Sequence, residues 1–109
     1  MILLKPIKRE DLALCKTKFF EDFVKAVVDL ETRRLAIDAE YHTDLAKEFE
    51  EEGANWENLW GVNLFPAEEE FIEIDSIINA KPGVNRKSYE IENTDVLNSV
   101  KEVVGLWIK

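Results

Sequence analysis

Two alternating segments and a polar turn, all between residues 59 and 86, constrain this chain more than any other feature. The first segment is Leu-Trp-Gly-Val-Asn-Leu-Phe-Pro (59–66) and the second is Phe-Ile-Glu-Ile-Asp-Ser-Ile-Ile (71–78). The turn Asn-Ala-Lys-Pro-Gly-Val-Asn-Arg (79–86) follows. A strand sends successive side chains to opposite faces, so period-two alternation marks a half-buried strand. The connection 66–70 is short enough to close the two segments as an antiparallel hairpin. Another such pair precedes them. Ala26, Val28 and Leu30 alternate with Val27, Asp29 and Glu31. After Thr32-Arg33, Leu35, Ile37, Ala39 and Tyr41 alternate with Arg34, Ala36, Asp38, Glu40 and His42. Thr-Arg is a poor pair for a two-residue turn, so a loop of about three to five residues is expected there.

Helical spacing marks three other stretches. Lys8 to about Phe20 carries Leu12, Cys15 and Phe19 on one stripe, with Glu10 and Asp11 at the positive end of the dipole. Thr43 is placed to cap a short acidic helix from Asp44 to about Glu52, with Leu45 and Phe49 facing inward and Gly53 ending it. Asn93 or Thr94 caps a last helix striped by Val96, Val100, Val103 and Trp107. An opening strand at Ile2 to Leu4 completes the order β-α-β-β-α-β-β-α. The expected fold is α+β: one antiparallel sheet of four or five strands with the helices packed on one face. The hairpins argue against a doubly wound parallel sheet.

A chain of 109 residues fits a single domain, 1–109. No apolar run approaches the ~20 residues that span a bilayer. The opening Met-Ile-Leu-Leu-Lys-Pro is too short for a secretory signal, so a cytoplasmic protein is expected. The lone cysteine, Cys15, excludes an internal disulfide and a cysteine metal cluster, and it reads as a buried structural thiol. Glutamine is absent while Lys and Glu carry most of the charge, the bias of hyperthermophile proteins.

The formal net charge of −9 is gathered in the middle of the chain. Residues 40–75 hold twelve acids against one base, Lys47, while the remainder is slightly basic. Such a surface repels duplex phosphates and anionic membrane, so neither is an expected partner. A basic protein surface is. The acidic window also stands beside the basic turn Lys81 to Lys87, and the two can pair between copies across a two-fold axis. A homodimer is therefore the leading expectation, in a small acidic interaction or regulatory protein.

If Leu35, Ile37, Ala39 and Tyr41 are buried, Asp38, Glu40 and His42 share the other sheet face. Glu73 and Asp75 look the same way, with Asn63 beside the space left by Gly61. Carboxylates beside an imidazole bind a divalent cation or form an acid–base pair. Glu40, His42, Asp44, Glu73 and Asp75 are thus candidate metal ligands. A divalent cation is the one cofactor this pattern implies, and a cation-dependent hydrolase is the alternative function. Against it, Glu-x-His-x-Asp matches no recognised zinc spacing, and a plain solvated sheet face shows the same alternation. Aromatics and turn cations supply the interface or ligand candidates: Trp56, Trp60, Asn63, Lys81, Asn85 and Arg86. Alternation with Val62 and Leu64 predicts burial of Trp60, which makes Trp56 the better interface anchor.

Several segments carry a resemblance: Phe-Val-Lys-Ala-Val-Val-Asp (23–29), Glu-Tyr-His-Thr-Asp (40–44), 58–66, 72–82 and Asn85-Arg86. Over nearly its whole length the chain resembles an uncharacterised family of short archaeal and bacterial proteins, a domain of unknown function. Glu40, His42 and Asp44 match a Glu-x-His-x-Asp element of that family. Trp60, Gly61 and Asn63 match a Trp-Gly-x-Asn element, and Asp38-Ala39 stand where the family carries a glycine pair. The resemblance implies a hyperthermophilic archaeal member. It implies no activity and assigns no catalytic residue.

Overall fold

Val24 to Asp29 forms the strand (β1) on which the rest is assembled. It pairs antiparallel with β2 (Arg34–Ile37) on one side and with β3 (Leu59–Leu64) on the other. The two-residue β4 (Ile72–Glu73) adds to the far side of β3, giving the order β2-β1-β3-β4. Three helices complete the α+β fold: α1 (Arg9–Cys15), α2 (His42–Glu51) and α3 (Thr94–Trp107). The computed structural model describes residues 1–15, 19–83, 85 and 89–109. The Cys15 side chain, Arg86 and Lys87 lie outside the described residues, and so do the expectations placed on them.

The four-stranded antiparallel sheet is as expected, but helices cover both of its faces rather than one. Val24, Ala26 and Val28 of β1 enter a core with Leu12 of α1 and Val100, Val103 and Val104 of α3. Val27 points the other way, into a second core with Leu45, Ala46 and Phe49 of α2. The reason is in β1 itself. Its Ala-Val-Val run is apolar on both sides, and exposing either side would forfeit roughly 1.5–3 kcal/mol for each large side chain.

Hydrogen bonds at the element ends explain where each one stops. The β1–β2 loop takes four residues, 30–33, because Asp29 is buried and its carboxylate accepts from the Glu31 amide and the Thr32 hydroxyl. Asn93 caps α3 by accepting from the Asp95 and Val96 amides, as its residue type predicts. Gly53 follows α2 with φ 94, where a side chain would be strained. The expected opening strand contracts to a single bridge between Ile2 and Ala36.

Two alternating stretches do not persist as strands. β2 ends at Ile37 because Asp38 takes φ 70, a left-handed conformation that aspartate tolerates better than most residues. The alternation read through His42 therefore never forms a face. The segment 71–78 pairs only at Ile72 and Glu73, and Ile77–Asn79 turns into a 3₁₀ helix capped by Ser76. Continuing β4 would put its next bonds on Gly61. The Asn79 carboxamide already occupies them: Oδ1 accepts from the Gly61 amide at 2.8 Å and Nδ2 donates to the Gly61 carbonyl at 3.0 Å. A side chain replaces a strand partner.

Candidate functional site

Because β2 stops at Ile37, the chain leaves the sheet edge and His42 becomes the first residue of α2. Tyr41 stands at the cap position and makes no side-chain bond to the helix's free amides. Leu45 and Phe49 hold the helix on the sheet, so the His42 ring lies down against β3. Gly61 leaves the room. A Cβ there would strike the Ser76 side chain and sit 3.1 Å from His42 Cδ2.

His42 Nε2 donates to the Val62 carbonyl at 2.8 Å. A carbonyl only accepts, so the neutral ring carries its proton on Nε2. Burial pushes the imidazole down to about 4, with Lys25 adding to the effect and the Val62 carbonyl, Asp75 and Asn63 opposing it. The ring is neutral at pH 7. The edge it turns to Gly61 is carbon, its Nε2 is committed, and among the described residues no hydrogen bond joins the ring to Ser76, so no Ser–His nucleophile is assembled.

Asn63 sits opposite Lys25 of β1 and Glu73 of β4, a row of three polar side chains on the α2 face. Its Nδ2 donates to Glu73 Oε1 at 2.9 Å and to the Asp75 carbonyl at 3.4 Å, which fixes the orientation of the carboxamide. Asn63 is only 5% exposed, and among the described residues its Oδ1 is the one buried side-chain N or O without a hydrogen-bond partner.

A cleft of about 240 Å³ opens over this row. Buried His42, Asn63 and Ser76 line it together with half-buried Lys25 and exposed Thr43 and Asp75. Tyr41, Ile77 and Tyr89 stand on its rim, 59%, 64% and 51% exposed. Large apolar side chains are seldom left so open in company unless something covers them.

The proposed ligand set for a cation is not brought together. Glu40 and Asp44 are exposed and do not line the cleft, since β2 ended before either could join its face. Glu73 is engaged by Asn63. Only His42 and Asp75 of that set meet at the cleft, and no three His, Cys, Asp or Glu among the described residues are placed to hold a metal ion.

The turn candidates divide likewise. Trp60 is buried, as its alternation predicts. Lys81 is not a solvated turn cation: it is 1% exposed, and its Nζ donates to the carbonyls of Trp56 at 3.0 Å and Ile78 at 2.8 Å. The ammonium also lies 4.0 Å from the Trp56 ring centroid and 4.8 Å from that of Trp60. Burial lowers it to about 8, opposed by Glu57. Trp56, partly exposed, spends one face on this cation rather than on a partner. Asn85 is buried and staples the backbone: Nδ2 donates to the Asn79 and Glu90 carbonyls, and Oδ1 accepts from the Glu92 amide at 2.8 Å. Arg86 lies outside the described residues.

Sequence reasoning did find His42, Asn63, Asp75 and the space at Gly61. It missed Lys25, Ser76, Tyr41, Ile77 and Tyr89 of the cleft, and Asn79 beside it. One signal was available: Lys25 is the one basic residue of a strand whose Ala-Val-Val run is apolar on both sides.

No helix among the described residues is long and apolar enough to cross a membrane. Neither the curated proteins nor the solved structures contain a significant match to the chain. A family model does match, over residues 1–106, and its description is a protein of unknown function, DUF5674. The chain therefore belongs to the DUF5674 family.

Proposed function

We propose that the chain is a small non-catalytic binding protein, an interaction or regulatory module whose recognition site is the cleft at the start of α2. The observation that carries this reading is the unpartnered Asn63 Oδ1. A buried acceptor left unpaired costs about 1–3 kcal/mol, and most buried polar atoms in native proteins avoid that cost. A ligand donor that satisfies it recovers the energy on binding. The apolar rim of Tyr41, Ile77 and Tyr89 supports the same reading, since it gives a bound molecule something to bury. The hydrolase reading has no such support: the cation ligands are not assembled and the imidazole Nε2 is committed to a carbonyl.

The test is a mixed panel of small polar molecules (amino acids, nucleosides, sugars, organic acids and amines) followed by amide chemical shifts. At least one member is expected to raise the thermal midpoint and to perturb residues 41–43, 61–63 and 75–77 together. A panel that leaves those amides still removes the cleft as the recognition site. For macromolecular partners we keep a second copy of the chain or a basic protein in the cytoplasm, on the strength of the exposed acids Glu50, Glu51 and Glu52 of α2 and its C-terminus, and Glu68, Glu69 and Glu70. Sedimentation at low and moderate salt decides self-association. A monomer at high concentration under both conditions ends that part of the proposal.

A further inference from the structure

The cleft holds two charges of opposite sign that do not meet. Lys25 reaches it from β1 and Asp75 from the stretch after β4, and neither makes a salt bridge among the described residues. Among the described residues the Lys25 ammonium lies over the Phe20 and Phe23 rings, at 5.4 and 5.5 Å. Folding places unlike charges in one small cleft and still leaves both unspent. A simple anion entering there would meet Asp75, and a simple cation would meet Lys25. A molecule carrying both signs meets neither penalty.

Two further groups sort themselves to the same poles. The uncapped first turn of α2, at Tyr41, His42 and Thr43, presents free amides and the positive end of the dipole, which favour a carboxylate. The Asn63 Oδ1, 5% exposed as a residue and without a partner, calls for a donor. The volume of about 240 Å³ suits a molecule of metabolite size rather than a nucleotide. The rim adds apolar surface beside the polar floor.

The geometry points to a small zwitterion, an α-amino acid with an apolar side chain, as the ligand of this cleft. Its carboxylate lies between Lys25 and the first turn of α2. Its ammonium lies at Asp75 and reaches Asn63 Oδ1 as the cleft side chains rearrange. Its side chain packs against Tyr41, Ile77 and Tyr89. This rests on the cleft being a binding site and goes further by naming the class of ligand.

The test uses calorimetry and amide shifts with L-phenylalanine and L-leucine on the whole chain. Three relatives of phenylalanine each lack one pole or both: L-phenylalaninamide, 3-phenylpropanoate and 3-phenylpropanamide. Both amino acids are expected to bind and to shift residues 41–43, 61–63 and 75–77. Each missing pole is expected to weaken binding about tenfold or more, the scale of a charge-assisted hydrogen bond. In Asp75→Asn the advantage of phenylalanine over 3-phenylpropanoate should vanish, and in Lys25→Met its advantage over phenylalaninamide should vanish. Thermal midpoints of both variants check that they fold. Binding of a one-pole relative as tight as that of phenylalanine overturns the zwitterion. So does failure of both amino acids while another member of the mixed panel occupies the cleft, which leaves the binding reading standing. Silence of the cleft to the amino acids and to the whole panel overturns both.

Discussion

Two polar clusters sit two residues apart on β3 and are built in opposite ways. At Gly61 everything is closed. Asn79 pairs both backbone groups of that residue, Asn85 pairs the Asn79 carbonyl, and Lys81 nearby donates to two carbonyls between two indole rings. At Asn63 the same chemistry is left open: one carboxamide oxygen has no partner, and Lys25 and Asp75 face one cleft without pairing. Both regions contain buried amides and a lysine, so residue type does not distinguish the closed cluster from the open one. Hydrogen-bond accounting does. A satisfied buried group explains itself by the fold it holds, whereas an unsatisfied one calls for something outside the chain.

The contrast breaks most sharply at Asn79. Asn79→Ala strips the partners from Gly61 N and Gly61 O and one of two from the Tyr89 carbonyl, which keeps the Ser76 amide, so urea denaturation should show a loss of about 3 kcal/mol or more. A loss below ~1 kcal/mol would mean the closed cluster does not hold the fold. His42 comes next, because it belongs to the open cluster yet is buried. With its folded value near 4 against 6.5 in the unfolded chain, the unfolded state binds the extra proton between those limits. Stability must therefore fall as pH drops from about 6.5 to 4, by up to ~3 kcal/mol from this residue. Measured against His42→Gln, the wild-type slope in that window should be steeper. An imidazole that titrates above pH 6 by NMR would refute the assignment. The smallest effect is expected in the cleft itself. Lys25→Met and Asp75→Asn remove charges that make no salt bridge among the described residues, so each should alter unfolding by about 0.5 kcal/mol or less. A loss beyond ~1.5 kcal/mol from either would move it to the closed class.

How much of this was readable before folding varies from element to element. α3 was legible from its cap Asn93 and the Val100, Val103 stripe, because capping and helical spacing are local properties. β3 was legible as a strand, although it proved buried on both faces. The second alternating segment misled because Ile72, Ile74 and Ile78 satisfy period two, while the strand's pairing sites were taken by Asn79, remote in sequence from Gly61. The covering of both sheet faces was not foreseen: helices were expected on one face, although the Ala-Val-Val run of β1 carried the signal. His42 and Asn63 were singled out from the sequence, and both line the cleft. Their grouping with Glu40 and Asp44 failed on one dihedral, the left-handed turn at Asp38.

By itself the sequence determined the kind of layers, the strong helix, the hairpins and the gap beside Gly61, since side-chain period, caps and missing Cβ atoms act over a few residues. Only the tertiary structure decided which polar groups are spent and which are left over. Lys81 and Lys25 look alike as letters. One is closed in by the Trp56 carbonyl and two indoles, and the other meets no carboxylate among the described residues, because such partners are assigned by contacts distant in the chain.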